Sequence, residues 1–367
     1  MRRSSRKARR GAIPVLWKID RVSGPLAVLV GAEWLAVKLA DEALDAVPRV
    51  LLARLPTPLE EMPRLAKHLG LRKLLVKRDD GTLLALGGNK ARKLEYDFAP
   101  ILAGGHDVVV TVGGAQSNHA AMTAAAARRV GLDVKLVLGG PAVSRPRGNM
   151  LLDAVYGAEV RYLLDDDDND SLAAAMDLWV RELRREGRRP FALAIGGSSG
   201  LGALGYVRAM RELSAQAGPG PFQLVTAVGS CGTFAGLNLG GCLFAPGARV
   251  VGISVSRTAG QIEARTAELV AESAAILGIA PPALGPLEVH DSFHERYGVA
   301  TASGAEAIRV SARLEGLLLD PVYTGKSMAA LFALARSGAL DPGVPVVFLH
   351  TGGLPILFAV DLPGENA

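Results

Sequence analysis

The residues best suited to chemistry stand in the segment LALGGNKARKLEY, which covers residues 84–96. Two glycines and Asn89 predict a turn and a helix cap, and apolar residues at helical spacing follow them. Lys90, Arg92 and Lys93 crowd the first helical turn, where the helix dipole disfavours each cation by about 0.3–1 kcal/mol. A lysine flanked by cations has a lowered pKa and can react as a neutral amine. The segment therefore predicts a reactive lysine near a bound anion.

Three glycine-rich turns offer a place for that anion. They are TVGGAQSNHA (111–120), AVGSCGTFAG (227–236) and HTGGLP (350–355). Each places backbone N–H groups at the start of a helix, which is how proteins bind phosphate. The second turn matches neither the dinucleotide-binding pattern nor a Walker loop. One such turn alone is equally typical of any α/β sheet. A lysine together with a phosphate cradle predicts pyridoxal phosphate, whose aldehyde binds an amine.

Alternating strands and helices must position these residues. DVVVTV (107–112), FQLVTAVG (222–229) and PVVFLHTGG (345–353) are apolar segments typical of buried strands, and helical patterns lie between such segments. Strands that are apolar throughout and alternate with helices predict parallel sheets covered on both faces. A chain of 367 residues is long enough for two domains of ordinary size.

The composition is that of a globular protein, with 49% apolar and 21% charged residues. The net charge of +5 arises in residues 1–10, which hold six basic side chains and no acidic one. The other 35 basic residues are balanced by 36 acidic residues, which argues against nucleic-acid binding by the body of the protein. The basic segment is typical of a solubilising extension, although a polyanion-binding or targeting role stays open.

Compartment and membrane contact can also be judged from the sequence. No uninterrupted run of about 18 apolar residues occurs, so we predict no membrane span. Charged residues interrupt the apolar stretch after residue 11 too often for a signal peptide. Cys231 and Cys242 form no disulfide framework and suit a reducing cytoplasm.

A metal site is not predicted, although the segment LLDDDDNDSLAAAM (163–176) is strongly acidic. We interpret it as a solvated loop in which Asp170 or Ser171 caps the next helix, because acids suit the positive end of the helix dipole. The six histidines show no spacing typical of a metal site.

From about residue 47 to 360 the chain resembles the family of 1-aminocyclopropane-1-carboxylate deaminase and D-cysteine desulfhydrase. The matching stretches are LPTPLEEMPRLAKHLG, VKRDD, LALGGNKARKLEY, GGAQSNHA, IGGSSGLGALGYVRA, GSCGTFAG, DPVYTGKSMAAL and FLHTGG. This family belongs to the tryptophan-synthase-β-like enzymes of fold type II, which use pyridoxal 5′-phosphate. The resemblance implies two three-layer α/β domains with largely parallel sheets, a cofactor between them, and a homodimer. The expected parts are an unassigned extension (1–46), a large cofactor-binding domain (47–92 plus 201–367) and a small domain (93–200).

The resemblance implies cofactor-binding roles for individual residues. Lys90 would form the Schiff base with the cofactor and later move the α-proton, while Lys93 would meet the phosphate. Asn118 would hydrogen-bond the pyridoxal 3′ oxygen. The other expected cofactor-binding residues are Gly229, Ser230, Cys231, Gly232, Thr233, Thr324 and Thr351. The family usually has glycine where this chain has Cys231. A small side chain still allows phosphate binding by backbone N–H groups if that residue needs no positive φ.

Substrate-binding roles follow from the same resemblance. Gln116, Ser117 and the backbone at His119 would receive the substrate carboxylate, with Asn118 between them. Tyr297 and Tyr323 would line the substrate pocket, and the expected catalytic residues are Lys90, Ser117, Tyr297 and Tyr323. His119 alone would equally suit a helix start without chemistry.

Two positions distinguish the branches of the family. The deaminase branch has Glu and Leu where this chain has Thr324 and Thr351. A carboxylate near the pyridine nitrogen would deepen the electron sink for opening a cyclopropane, whereas expulsion of a good β-leaving group needs less help. The threonines therefore favour a lyase that converts D-cysteine, or a related β-substituted amino acid, to pyruvate, ammonia and the leaving group. The alternatives are 1-aminocyclopropane-1-carboxylate deaminase, L-cysteate sulfo-lyase and an enzyme of a specialised amino acid. A cofactor-free scaffold would have lost Lys90.

Overall fold

A computed structural model describes residues 37–164, 169–293 and 295–364. The basic segment 1–10 and the acidic residues 165–168 lie outside the described residues, and so do the roles considered for them. Helix α6 begins at Asn169, so Asp170 and Ser171 lie within its first turn, and the prediction that one of them is the cap is wrong.

The described strands form two sheets. The six-stranded sheet has the order β1 (Leu59–Glu61), β2 (Leu74–Lys77), β10 (Val346–Leu349), β7 (Phe222–Val228), β8 (Ala248–Ser254) and β9 (Glu288–His290). Only β1 is antiparallel to its neighbour in this sheet. The four-stranded sheet has the order β5 (Glu159–Leu163), β4 (Asp133–Gly139), β3 (Val108–Gly114) and β6 (Pro190–Ala192), all parallel. The prediction of largely parallel sheets is confirmed.

Helices connect the strands. They are α1 (37–46), α2 (Pro63–Leu69), α3 (Lys90–Ala103), α4 (Asn118–Arg129), α5 (Gly148–Val155), α6 (Asn169–Arg185), α7 (Gly200–Ala217), α8 (Gly232–Phe244), α9 (Ala259–Ile276), α10 (Ala302–Glu315), α11 (Thr324–Arg336) and α12 (Leu354–Leu357). No helix among the described residues is long and apolar enough to cross a membrane.

Both sheets are covered on both faces, as the apolar strands predict. Leu224 packs with residues of α7, α8 and α9, whereas its neighbour Val225 packs with α2, α10 and α11. In the four-stranded sheet Val109 packs with α3 and α4, and Val110 packs with α6. Successive side chains of a strand point to opposite faces, so each sheet is the middle of three layers.

Helix α3 contributes to the cores on both sides of the predicted domain boundary. All strands of the four-stranded sheet lie within 93–200, and those of the six-stranded sheet lie in the flanking segments. Yet Tyr96 packs in the core of the larger sheet, while Leu94 and Phe98 pack in that of the smaller one. The boundaries at 92/93 and 200/201 stay a prediction.

Candidate active site

A cavity of about 470 Å³ lies where the start of α3 meets the glycine-rich turns after β3 and β7. Eleven of the predicted site residues line it: Lys90, Ser117, Asn118, His119, Gly229, Ser230, Cys231, Thr233, Tyr297, Tyr323 and Thr351. Four others do not, namely Lys93, Gln116, Gly232 and Thr324. The folding of the chain therefore brings together residues from six separate segments of the sequence.

Lys90 is the first residue of α3 and is held close to two of the turns. The preceding residue, Asn89, donates from Nδ2 to the Thr233 hydroxyl at 3.0 Å and from its backbone N–H to the Thr351 carbonyl at 3.0 Å. Asn89 occupies the predicted N-cap position, but its side chain makes no capping hydrogen bond. Burial lowers the pKa of the Lys90 amine to about 8. The amine is therefore more available in its neutral form than that of an ordinary lysine.

Arg92 does not meet a cofactor anion, because protein carboxylates surround it. Its guanidinium donates to both oxygens of Asp79 at 2.8 and 2.9 Å and to those of Glu212 at 2.8 and 3.0 Å. Lys77 is ion-paired with the same Glu212, and Tyr206 donates to Asp79 at 2.6 Å. Arg92 and Asp79 are buried almost completely. This ionic cluster fixes the start of α3.

Lys93 is buried behind the cavity. Its amine donates to the Gly196 carbonyl and lies 3.3 Å from the Ser198 hydroxyl. Burial, and next the nearby Lys90, hold the pKa of Lys93 well below its usual range. Ser198 in turn accepts from the Gly232 N–H at 3.2 Å and donates to Ser230 at 2.8 Å. Lys93 thus reaches the second glycine-rich turn through Ser198, and the direct phosphate contact predicted for it is not among its contacts.

Cys231 occupies a left-handed backbone conformation in this turn, with φ of 68°. A side chain fits here without strain only if the residue needs no positive φ. Cys231 does not meet this condition. The residue is 2% exposed, and burial raises the pKa of its thiol. A thiol held in its protonated form is a poor nucleophile, which argues against easy oxidation there.

The start of α4 forms the opposite wall of the cavity. Ser117 is the N-cap, and its hydroxyl accepts from the Ala120 N–H at 3.2 Å. His119 turns inward, with Nε2 2.9 Å from the Thr111 hydroxyl. Burial, followed by the charges of Lys90 and Lys93, holds the pKa of His119 well below its usual range. His119 is therefore neutral, and its side chain supplies no positive charge for a carboxylate.

Gln116 faces away from the cavity. Its side-chain oxygen accepts from the Asn149 N–H at 2.9 Å, and its side-chain amide donates to the Arg147 carbonyl at 3.1 Å. Both ends of the side chain are thus bonded to the start of α5. The predicted contact between this side chain and the substrate carboxylate is not supported by the arrangement.

Tyr297 and Tyr323 form a pair at the cavity. Their hydroxyl groups lie 2.6 Å apart, and the rings meet edge to face at 6.1 Å between centroids. Burial raises the pKa of both phenols. Both hydroxyls are therefore protonated at neutral pH, and one of them keeps a proton free to donate into the cavity.

The two threonines that distinguish the branches lie in different surroundings. Thr351 lines the cavity. Thr324 is fully buried, and its hydroxyl donates to an Asp320 carboxylate oxygen at 2.6 Å and accepts from the Asp320 N–H at 2.7 Å. Both functions of this hydroxyl are thus bonded within the chain at the start of α11, and the predicted role of Thr324 at the cofactor stays a prediction.

Comparisons with known proteins identify the family. Residues 50–352 match the model of the pyridoxal-phosphate dependent enzyme family. A D-cysteine desulfhydrase of Yersinia pestis is 42% identical over 328 residues, which cover 87% of this chain and 98% of the relative. A Pyrococcus horikoshii protein with the provisional name 1-aminocyclopropane-1-carboxylate deaminase is 42% identical over 311 residues, covering 85% and 93%. This chain belongs to the pyridoxal-phosphate dependent enzymes.

A solved structure supports the same assignment. The crystal structure titled as that of an ACC deaminase homologue has a TM-score of 0.81 at 40% identity and covers 87% of this chain and 96% of its own. The predicted family, fold and cofactor of this pyridoxal-phosphate dependent enzyme are thereby confirmed.

The cavity residues of this enzyme fit pyridoxal phosphate. The Lys90 amine with its lowered pKa suits the aldehyde, and the start of the 13-residue helix α8 offers first-turn N–H groups that no helical carbonyl accepts. The Asn118 amide and the Thr351 hydroxyl lie at the same cavity. Each part of the cofactor thus has a chemical partner of the appropriate kind.

Several residues at the site were not predicted from the sequence. Asn149 and Ser198 bond directly to predicted site residues, and Arg257, Glu295 and Arg296 line the cavity. The Gly-Asn pair that opens α5 and the Ser-Ser pair before α7 are typical helix-start residues, so their types alone indicated only capping.

Proposed function

We propose that this enzyme catalyses β-elimination from D-cysteine or a related β-substituted amino acid, yielding pyruvate, ammonia and the leaving group, which is sulfide for cysteine. The observation that carries the proposal is the charge of the cavity wall. Among the described residues that line the cavity, the only carboxylate is Glu295, and that residue is exposed. A cofactor nitrogen without a buried carboxylate beside it is a weaker electron sink, which suffices for a good leaving group.

Four of the lining residues have a part in this reaction. When bound, pyridoxal phosphate supplies the electron sink that stabilises negative charge on the substrate α-carbon. The start of α4 with Ser117 binds the substrate carboxylate, because helix N-termini favour anions. The Lys90 amine holds the cofactor and moves the α-proton, a task that suits a pKa of about 8. The paired hydroxyls of Tyr297 and Tyr323 hold a proton near the leaving group.

Deamination of 1-aminocyclopropane-1-carboxylate is the second candidate. The relative in Pyrococcus horikoshii and the solved homologue carry names that include this activity. Ring opening would use the same lysine and the same tyrosine pair. The two candidates differ in how much charge the pyridine nitrogen must hold, and the cavity without a buried carboxylate favours elimination.

We also propose that the enzyme acts in the cytoplasm as a homodimer. Its two cysteines, Cys231 and Cys242, are both free thiols, which suits a reducing compartment. The dimer is an expectation from the family resemblance. Light scattering on the purified full-length chain should give twice the 38.3 kDa of one chain.

A substrate panel tests the proposed activity. One preparation would be offered D-cysteine, L-cysteine, L-cysteate, D-serine and 1-aminocyclopropane-1-carboxylate, with keto acid measured for each and sulfide or sulfite where it applies. We expect release from a substrate that bears a thiol or a sulfonate, and little 2-oxobutanoate from the cyclopropane. Efficient formation of 2-oxobutanoate would contradict the choice of branch.

A chemical tag tests the role of Lys90. Borohydride should bleach the colour of the bound cofactor and attach it to Lys90, and Lys90→Ala should lose both the tag and turnover. Attachment to Lys93 or Lys326 in the wild-type protein would overturn the assignment.

A further inference from the structure

Asn149, the second residue of helix α5, forms hydrogen bonds with the segment at the start of α4. Asn149 is 2% exposed, and its side-chain amide donates to the Gln116 carbonyl at 3.0 Å and to Asn118 Oδ1 at 2.6 Å. Its backbone N–H donates to the Gln116 side-chain oxygen at 2.9 Å. One buried residue of α5 thus holds both residues that flank the N-cap of α4.

The bond to Asn118 decides which way that amide points. A primary amide has one oxygen and one NH₂ group on opposite sides, so an oxygen held by a donor turns the NH₂ group away from it. Asn118 lines the cavity, whereas Asn149 does not. The NH₂ group of Asn118 is therefore the part of this amide that is free to serve as a donor at the cavity.

We propose that Asn149 is a positioning residue that keeps the Asn118 NH₂ group directed at the 3′ oxygen of pyridoxal phosphate. The inference rests on the proposed function, since that function requires the cofactor, and on the contact with the 3′ oxygen that the family resemblance implies for Asn118. Without Asn149, the Asn118 amide can rotate by half a turn and present its oxygen to the cofactor oxygen. Two acceptors would then face each other, and the donor that favours the anionic form of the 3′ oxygen would be lost.

The backbone beside Asn149 is built for this close approach. Gly148 has φ of 57°, and a Cβ atom there would lie 2.5 Å from the Gln116 side-chain oxygen. Only glycine therefore lets the start of α5 reach the turn before α4. A side chain at position 148 would move Asn149 away from Asn118 even if helix α5 remained folded.

Variants at two positions separate this role from a structural one. We would prepare Asn149→Ala, Asn118→Ala, the double variant, Asn149→Asp as a second test of the position, and Leu151→Ala as a control on the half-exposed side of the same helix. The measurements are the dissociation constant of pyridoxal phosphate, the apparent pKa of its visible absorbance when bound, and the melting temperature.

We expect a loss of cofactor affinity in Asn149→Ala that depends on the presence of Asn118. Asn149→Ala should weaken cofactor binding about tenfold, the value of about one hydrogen bond, and raise the pKa of the absorbance change. The double variant should match Asn118→Ala in both readouts, because Asn149 acts through Asn118. Asn149→Asp, which puts an acceptor against Asn118, should raise that pKa as well, and Leu151→Ala should match the wild type.

Two results would overturn the inference. One is a normal absorbance pKa in both Asn149 variants. The other is an effect of Asn149→Ala that is equally large in the Asn118→Ala background, which would indicate a structural role for α5. If Asn149→Ala does not fold, Asn149→Asp with and without Asn118→Ala decides the same question. A wild-type protein that binds no pyridoxal phosphate would overturn the proposed function together with this inference.

Discussion

Asp153 gives the stability of the protein a defined pH dependence. It lies on α5, four residues after Asn149, and it is 1% exposed. Neither of its carboxyl oxygens has a hydrogen-bond partner among the described residues. Burial raises the pKa of this carboxyl from 3.8 to about 8. Asp153 is therefore protonated and neutral in the folded protein at pH 7.

The direction of the effect follows from the protons bound in each state. In the unfolded chain the carboxyl loses its proton near pH 4, whereas in the folded protein it keeps the proton until about pH 8. Between these values the folded state binds one more proton, so the free energy of unfolding falls as pH rises. The contribution is fully present below pH 4 and is lost as pH rises through 8. Asp153→Asn removes it, since an amide does not titrate.

The size of the effect follows from the same shift. A difference of about four pKa units corresponds to at most about 6 kcal/mol, at about 1.4 kcal/mol per unit. Water that enters around the ionised carboxylate reduces this bound. We compare the free energy of unfolding of Asp153→Asn with that of the wild type at each pH. This difference should favour the variant by about 2–4 kcal/mol more at pH 9 than at pH 4.

Urea unfolding of both proteins at pH 4, 7 and 9 measures this difference. Other titrating groups, such as Lys90, are present in both proteins and cancel when the variant is compared with the wild type. Asp177→Asn, at an exposed position of α6, is the matched control and should show a difference that stays constant with pH. A difference between Asp153→Asn and wild type that is equal at all three pH values would refute the reasoning.

Three further substitutions test other parts of the structure. Ser117→Ala should weaken substrate binding by about 1.5–3 kcal/mol, because a charge-assisted hydrogen bond is lost, while cofactor affinity changes little; unchanged KM for every accepted substrate would contradict this role. Arg92→Met should lower the free energy of unfolding by about 3–5 kcal/mol, since it leaves the buried Asp79 carboxylate without its ion-pair partner, and a loss below 1 kcal/mol in urea unfolding would contradict it. Cys231→Gly should be about 1 kcal/mol more stable than Cys231→Ala, because only the latter keeps a Cβ atom at φ of 68°, and equal stabilities would show that this backbone is not strained.

The elements of this fold were predictable because their signals are local. The strand that ends at Val228 is mostly apolar and is buried throughout, and a glycine-rich turn and a helix follow it directly in the sequence. Glycine and a small N-cap residue identify such a turn from its local sequence alone. The arrangement of Lys90, Ser117 and Tyr323 around one cavity came from the family resemblance, since they are far apart in sequence.

The hydrogen-bond partners inside the site could not be predicted in this way. Asn118 bonds to a residue 31 positions away, and Tyr297 pairs with a residue 26 positions away. Thr324 was expected at the cofactor, yet its hydroxyl bonds to Asp320, four residues before it. The residue type determines which hydrogen bonds a side chain is able to donate or accept. Only the packing of the elements decides which of the possible partners it meets.

The three cations at the start of α3 are each tolerated for a different physical reason. Arg92 stays charged because the carboxylates of Asp79 and Glu212 enclose it. Lys90 and Lys93 have no such carboxylate within hydrogen-bond distance in the described part of the chain, and burial lowers the pKa of both. The cluster around Arg92 thus anchors the helix, while the same burial that would penalise a charged Lys90 leaves its amine more readily neutral. Stability and reactivity at this helix start therefore have one common cause, the removal of the side chains from water.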